Sequence, residues 1–178
     1  MNLERLTGQE ILARVPDLVR IYRAAFGGPP WHEDEHAADA FAERLTTDAR
    51  RPGFTAVLAD DNGDPVGFGT AWHTPSPFPT GRAYDLVRAE LGEAVETRLV
   101  GALEVDELAV SPHARGRGLG ASVLDLLCGG ADPCWLLTAP QAADAIRFYE
   151  RLGWQRLTGP GADVVVFSRS PANYHGTW

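Results

Sequence analysis

Apolar residues near the start of the chain recur every three or four positions, which is the spacing of an amphipathic helix. The pattern runs from Ile11 to Phe26. Thr7 and Glu10 have the spacing of a capping box, so the first helix is expected to begin there. Pro16 favours the start of a second helical segment. The sequence therefore predicts two consecutive helices in this region.

The rest of the chain alternates between strand-like and helix-like segments. The Asn62-Gly63 pair separates two apolar-rich segments and favours a hairpin turn, because both residues tolerate positive φ angles. The predicted strands are 2–6, 54–59, 65–74, 103–110, 135–138 and 164–168. The further predicted helices are 33–45, 84–99, 119–128 and 141–152. A hairpin followed by alternating strands and helices predicts an α/β fold, of mixed α+β character, with a mixed sheet.

Length and charge narrow the class of protein. The 178 residues predict a single domain over 1–169 and a C-terminal tail at 170–178. The formal net charge of −8 disfavours nucleic acid and anionic membranes as partners, and it suits a cationic amine. The chain shows neither a signal-peptide pattern nor an apolar run of membrane-spanning length, so we expect a cytoplasmic protein.

Residue types that are missing exclude several chemistries. All 16 basic residues are arginine, so the chain has no lysine for a Schiff base or for a G-x-x-x-x-G-K-[ST] phosphate loop. Cys128 and Cys134 are too few for a disulfide framework or a four-thiolate zinc site. We expect both to be small buried side chains.

The most informative segment is the glycine-rich loop that follows the strand predicted to end at Val110. Its glycines let the backbone approach a ligand, and consecutive N–H groups at the start of the next helix favour an anion. Arg115 and Arg117 add charged donors. The loop is therefore expected to cradle a pyrophosphate.

A dinucleotide fingerprint is the alternative for the same loop, because Gly116-x-Gly118-x-x-Ala121 satisfies G-x-G-x-x-[G/A]. That fingerprint normally follows its strand closely, whereas here the first glycine comes six residues after Val110. Asp144 has roughly the position of the required acidic residue but falls in a predicted helix. These features disfavour a dinucleotide site.

Two motifs carry a resemblance to a known family. The segment Val110-x-Pro112-x-x-Arg115-Gly-x-Gly118-x-Gly120 resembles the acyl-CoA loop of the GNAT superfamily of N-acetyltransferases. The segment from Ala145 to Trp154 (AIRFYERLGW) resembles the next motif of that superfamily, a helix ending A-x-x-F-Y-x-x-x-G-[F/W]. The motifs occur in the expected order, and the element order agrees over most of the chain.

The resemblance implies a fold, a cosubstrate and binding residues. The implied fold is a twisted mixed sheet of about six to seven strands flanked by helices, with two strands splayed to admit CoA. Backbone groups of Leu108, Ala109 and Val110 would bind the pantetheine and the thioester carbonyl of acetyl-CoA. The amides implied to hold the pyrophosphate are those of Arg115, Gly116, Arg117, Gly118, Leu119, Gly120 and Ala121. Ala142 departs from the family, which often has Asn there to contact pantetheine.

Catalysis of acetyl transfer to an amine needs an acid and a base. By the family pattern, Tyr149 lies beside the sulfur, where a phenol can protonate the departing thiolate. Glu104, Asp106 and Glu107 lie close together on the strand predicted over 103–110. We favour Glu107 as the base because it is three residues before Val110, but either of the others, or a water, remains an alternative.

The segment His32-Glu33-x-x-His36 matches the H-E-x-x-H signature of zinc hydrolases, but it lacks the metzincin continuation, and we expect no metal. An aromatic residue with carboxylates also suits a cationic amine. Trp31 and Glu33 are therefore expected to line the acceptor site, with Trp72 and His73 forming the opposite wall.

The function expected from these observations is transfer of the acetyl group of acetyl-CoA to a primary amine, by direct attack in a ternary complex. The acceptor is expected to be a small molecule or a peptide, and a homodimer is one expectation because dimers are common in families of this shape. Two alternatives are a non-catalytic acyl-CoA sensor of the same fold and a zinc hydrolase at His32 and His36.

Overall fold

The computed structural model describes residues 1–130 and 133–170 and shows a mixed α/β fold. The strands are β1 (Asn2–Leu6), β2 (Thr55–Asp61), β3 (Asp64–His73), β4 (Leu103–Val110), β5 (Cys134–Thr138), β6 (Gln155–Arg156) and β7 (Val165–Arg169). The helices are α1 (Gly8–Leu12), α2 (Val15–Phe26), α3 (Glu35–Asp48), α4 (Tyr84–Leu91), α5 (Ala94–Arg98), α6 (Leu119–Cys128) and α7 (Ala143–Arg151). A short 3₁₀ turn spans Pro112–Ala114.

The seven strands form one sheet in the order β1-β2-β3-β4-β5-β7-β6. β1, β2 and β3 are successively antiparallel, and β5, β7 and β6 are joined by antiparallel pairs. β4 and β5 run parallel, with Leu103 paired to Cys134 and Glu104 to Trp135 at the beginning of each strand. The mixed sheet flanked by helices confirms the predicted fold class.

The chain divides into two compact units, which are described separately. The first contains Met1–Trp72 and Asp106–Gly129, and the second contains His73–Val105 and the chain from Gly130 onward. β4 begins in the second unit and ends in the first. The single domain expected over 1–169 stays a prediction. The expected C-terminal tail lies outside the described residues apart from Ser170.

The core of the first unit is formed by the apolar faces of α1, α2 and α3 together with β2 and β3. Its buried members include Ile11, Leu18, Ile21, Phe41, Leu58 and Phe68. These helical residues follow the three-to-four spacing of the sequence, so amphipathicity explains which face is buried. The capping box at Thr7 is confirmed, since its side chain accepts from the Glu10 amide at 3.3 Å and the Glu10 carboxylate accepts from the Thr7 amide at 2.7 Å.

The core of the second unit is formed by α4, α5, β5 and β7. Its members include Phe78, Tyr84, Val87, Leu99, Trp135 and Val166. The single helix predicted over 84–99 is wrong, because Gly92 adopts a positive φ of 58° and separates α4 from α5. A residue in this conformation cannot continue a right-handed helix, so glycine at this position ends α4.

Two further features bear on the sequence predictions. α3 begins two residues later than predicted because the Asp34 side chain accepts from the Ala37 amide at 3.1 Å and caps the helix. Cys128 and Cys134 are buried, at 0% and 1% exposure, as expected. None of the helices in the described ranges is long and apolar enough to cross a bilayer.

Candidate active site

The glycine-rich loop, residues 115–121, follows the 3₁₀ turn in the first unit and includes the first three residues of α6. Gly116 and Gly118 have φ angles of 74° and 75°, which L side chains rarely adopt. A Cβ at either position would meet no atom of the described residues within 4 Å. These two glycines are therefore required by backbone conformation rather than by crowding, and the loop surface above them is open.

The loop ends at the N-terminus of α6, where backbone donors accumulate. Gly118 caps the helix, and the Ser122 amide makes the first helical bond, to the Gly118 carbonyl at 3.1 Å. The amides of residues 119–121 precede that bond and have no acceptor within the helix. They also lie at the positive end of the helix dipole. This arrangement suits a phosphate group.

The Arg115 side chain fastens the loop to other elements of the same unit. Its Nε donates to the Val110 carbonyl at 3.1 Å, and its Nη2 donates to the Ala25 carbonyl at 2.9 Å. Ala25 lies in the last turn of α2, and its carbonyl has no donor within the helix. The guanidinium thus joins the end of β4 to the end of α2, and the sequence did not indicate this bracing role.

Arg117 is paired with an acidic residue of the β2–β3 hairpin. Its Nη1 lies 2.7 Å from Asp61 Oδ2. The hydrogen bond from Arg117 is the largest effect that holds the pKa of Asp61 below its ordinary value. This ion pair therefore reduces the positive charge that the loop was expected to carry. The backbone amides of the loop are then its main donors for an anion.

The end of β4, which carries Leu108, Ala109 and Val110, is packed closely against β3. A Cβ at Gly67 would lie 3.2 Å from the Ala109 carbonyl oxygen and 3.5 Å from Val110 Cγ2. The Ser111 amide donates to the Val66 carbonyl at 2.8 Å. Glycine at position 67 thus permits the close approach that positions the residues expected to bind pantetheine.

A second group of polar residues in the first unit comes from α2, α3, β4 and the segment between α2 and α3. Arg44 Nη2 is 3.9 Å from Glu107 Oε1, and the Glu107 side chain is 17% exposed. Burial, the charge of Glu107 and a hydrogen bond with Glu33 raise the pKa of Tyr22 well above its ordinary value. Glu33 and Glu107, selected separately from the sequence, thus both influence the same tyrosine. Tyr22 and Arg44 were missed, since Tyr22 reads as one more apolar position of α2.

The aromatic residues expected around the acceptor differ in exposure. Trp31 is half-buried, with its ring edge-on to Phe26 at a centroid distance of 5.8 Å. Trp72 is only 1% exposed, because Phe54 stacks on it and the Arg51 guanidinium lies 4.7 Å from its ring centroid. Trp72 therefore offers no open ring face to a ligand, whereas Trp31 keeps part of its surface.

In the second unit, Tyr149 lies on α7 among aromatic side chains. Its ring centroid is 5.5 Å from that of Phe167 and 6.1 Å from that of Trp154, and the residue is 8% exposed. His73 belongs to the same unit, is exposed, and has its Nδ1 3.1 Å from the Gly101 carbonyl oxygen. Ala142 precedes α7 without a capping side chain.

Glu104, one of the three acidic residues on β4, is enclosed in a hydrogen-bond network of the second unit. It is 4% exposed, accepts from the Thr74 hydroxyl at 3.0 Å and also accepts from the Tyr84 hydroxyl. The Trp135 indole donates to the Thr74 hydroxyl oxygen at 2.8 Å. A buried carboxylate held in this way is typical of a structural role.

The zinc hydrolase alternative is not supported by the geometry of its motif. H-E-x-x-H binds metal when both histidines share one helix face, but α3 begins at Glu35 and His32 precedes it with a φ of 48°. The His36 side chain is 95% exposed and lies 3.7 Å from Asp34. Across residues 1–130 and 133–170, no three His, Cys, Asp or Glu residues are grouped to hold a metal ion.

Comparison with known proteins adds to this geometry. A family model described as the acetyltransferase (GNAT) family matches residues 15–154. No curated protein matches the chain.

Solved structures share the fold at low sequence identity. A PaiA N-acetyltransferase from Thermoplasma acidophilum in complex with coenzyme A is 14% identical, with a TM-score of 0.64 and coverage of 96% of this chain and 99% of that one. An aminoglycoside 6'-acetyltransferase type Ii is 18% identical, with a TM-score of 0.62 and coverage of 96% and 97%. A ribosomal-protein-alanine N-acetyltransferase from Brucella melitensis is 16% identical, with a TM-score of 0.57 and coverage of 96% and 99%.

Proposed function

This chain belongs to the acetyltransferase (GNAT) family, and on that premise we propose that it transfers the acetyl group of acetyl-CoA to a primary amine. The amine attacks the thioester directly in a ternary complex. The amine nitrogen forms a bond to the carbonyl carbon, the carbon–sulfur bond breaks, and coenzyme A leaves as a thiol. The acetylated amine loses one proton, and the departing sulfur gains one.

The observation that carries this proposal is the loop at 115–121. Its two left-handed glycines, and the amides at the start of α6 that have no acceptor within the helix, make a donor surface for a pyrophosphate. The Arg115 side chain stabilises the loop by donating to the backbone carbonyls of Val110 and Ala25. Leu108, Ala109 and Val110 precede it on β4, where main-chain groups are the proposed partners of the pantetheine.

The proposed acid and base come from different elements. Glu107 takes the proton of the attacking amine, directly or through one water. It is the better candidate than Glu104, because the hydroxyls of Thr74 and Tyr84 already occupy the Glu104 carboxylate. Tyr149 donates the proton of its phenol hydroxyl to the departing thiolate. The resemblance to the family motif supports this role for Tyr149.

Binding of the cosubstrate is tested by thermal unfolding. Acetyl-CoA at about 100 times its dissociation constant should stabilise the protein by roughly 2.7 kcal/mol. For a chain of this length the midpoint should rise by about 5–10 °C. No rise at millimolar acetyl-CoA would contradict the proposal.

A matched pair of variants locates the binding to the loop. Gly118→Asp places a carboxylate at the N-terminus of α6 and should abolish the rise in midpoint. Gly161→Asp makes the same change at a second glycine of positive φ, 80° against 75°, with no atom of the described residues within 4 Å of its Cβ. It should keep the full rise, and equal losses in both variants would contradict binding at the loop.

Transfer is tested with four amines: spermidine, tyramine, kanamycin and a tripeptide that begins with alanine. Free thiol released from acetyl-CoA is measured with and without each amine. Amine-dependent release supports the enzyme, whereas binding of acetyl-CoA without release from any amine favours the sensor alternative.

A further inference from the structure

Two buried glycines of β3, Gly67 and Gly69, are required by crowding rather than by backbone conformation. Both lie within the extended strand, and neither has a positive φ angle. Residues two apart in a strand point to the same face, so the two glycines face the same neighbours. Alanine can adopt either backbone conformation, so the cost of a side chain here depends on what its Cβ would meet.

The first neighbour of these glycines is α6. A Cβ at Gly69 would lie 3.0 Å from Val123 Cγ1 and 3.1 Å from Leu127 Cδ2. A Cβ at Gly67 would lie 3.4 Å from Cδ2 of Leu119, the first residue of α6. These three helical side chains are buried and spaced four residues apart, so they form one face of the helix. That face of α6 therefore packs against a part of β3 that has no side chains.

The second neighbour is β4. A Cβ at Gly67 would lie 3.2 Å from the Ala109 carbonyl oxygen, and a Cβ at Gly69 would lie 3.4 Å from the Glu107 carbonyl oxygen. β4 carries the main-chain groups proposed to bind pantetheine, and α6 begins with the amides proposed to bind the pyrophosphate. Both parts of the proposed cosubstrate site thus contact β3 at the same two glycines.

We propose that Gly69, together with Gly67, is a positioning residue of the cosubstrate site. The missing side chains set the distance between α6 and β3, and this distance determines where the amides of 119–121 lie relative to the main chain of β4. This inference rests on the proposed binding of acetyl-CoA at 115–121. It gives β3 a role that the loop motif does not contain, because neither glycine belongs to that loop.

The test variant is Gly69→Ala, whose methyl group would lie 3.0 Å from Val123 Cγ1. Non-bonded carbon atoms prefer a separation of about 3.5–4.0 Å, so α6 should move away from β3 by about 0.5–1 Å. Hydrogen-bond lengths vary over only about 0.5 Å, so amides displaced by this amount no longer match a phosphate whose pantetheine is bound at β4. The dissociation constant of acetyl-CoA, measured by calorimetry, should rise about tenfold.

Two controls separate displacement of α6 from loss of stability. Val123→Ala leaves a cavity in the same contact, so it should lower the unfolding midpoint but keep the affinity for acetyl-CoA. The double variant Gly69→Ala/Val123→Ala should recover nearly the wild-type affinity, because the new methyl group occupies the vacated space. A loss of affinity caused by instability alone would instead become larger in the double variant.

Gly159→Ala is the matched glycine substitution. Gly159 also lacks a positive φ, and its Cβ would meet no atom of the described residues within 4 Å. The unfolding midpoint and the affinity for acetyl-CoA should both stay near the wild-type values in this variant.

Three affinity results would overturn the positioning role. They are an unchanged dissociation constant in Gly69→Ala, an equal rise in Val123→Ala, and a loss that the double variant does not restore. If Gly69→Ala fails to fold, the double variant decides the question, since a folded double variant with a tenfold weaker affinity would also overturn the role.

A second measurement needs no cosubstrate, which separates this inference from the proposed function. Crystal structures of the wild type, Gly69→Ala and the double variant should show α6 displaced from β3 in the second and returned in the third. An unmoved α6 in Gly69→Ala would overturn the inference even if binding of acetyl-CoA were demonstrated. A displaced α6 in a protein whose wild type binds no acetyl-CoA would instead refute the proposed function, and the inference with it.

Discussion

Removal of the Arg115 guanidinium should destabilise the protein. Arg115→Met keeps most of the aliphatic stem but leaves the Val110 and Ala25 carbonyls without their donor. Hydrogen bonds from a charged donor contribute about 1.5–3 kcal/mol when buried, but the bond to Val110 is exposed and should count for little. The charge at the end of α2 adds about 0.3–1 kcal/mol.

The expected loss is therefore about 2 kcal/mol, measured by urea unfolding with tryptophan fluorescence. The midpoint of thermal unfolding should fall by about 4–8 °C. Because the loop loses its brace, the apparent dissociation constant of acetyl-CoA should also rise.

Arg117→Met is the matched control for Arg115→Met, since it removes a guanidinium from the same loop. The Arg117 side chain is 49% exposed in its pair with Asp61, and such surface pairs contribute little to stability. Its unfolding curve should stay close to that of the wild type. Equal stability of both variants would refute the bracing role of Arg115.

Four other outcomes are expected. Tyr149→Phe should lower kcat about a hundredfold with unchanged acetyl-CoA affinity, because the ring contacts survive and only the proton donor is lost. Glu107→Gln should lower kcat/KM for the amine with little change in unfolding midpoint. Glu104→Ala should lower the stability measured in urea by about 2–4 kcal/mol, because two buried hydroxyl donors lose their acceptor. Asp61→Asn should tighten acetyl-CoA binding in calorimetry at low salt, because it frees Arg117, and the difference should shrink at high salt.

Each of these outcomes has a clear contrary result. An unchanged kcat would remove the acid role of Tyr149, and an unchanged kcat/KM would remove the base role of Glu107. A Glu104→Ala variant that is stable but inactive would indicate Glu104, and not Glu107, as the general base. Weaker binding by Asp61→Asn would show that the ion pair positions Arg117 for the phosphate.

Periodicity and capping signals predicted most of the fold. The capping box at Thr7 and the apolar spacing of α2 depend on neighbours in the sequence, so the sequence contains the whole signal. The prediction of one helix over 84–99 was wrong at Gly92, because the apolar spacing on both sides of this glycine is helical. Such a break depends on a backbone conformation that spacing does not reveal.

The candidate site was predictable only where chemistry follows from a local motif. The amide donors at 115–121 belong to one continuous segment, so the motif identified them. The charge of Glu107 acts on Tyr22 only after α2 and β4 fold together, and the Tyr22 ring occupies an ordinary apolar position of the helix. The burial of Trp72 beneath Arg51 likewise depends on tertiary packing that the sequence does not display.

The most direct measurement is a crystal structure of the protein with coenzyme A. The amide nitrogens between Gly116 and Ala121 should lie about 2.7–3.2 Å from pyrophosphate oxygens, with the loop glycines keeping their positive φ angles. A well-ordered coenzyme A whose phosphates contact none of these amides would contradict the proposed site.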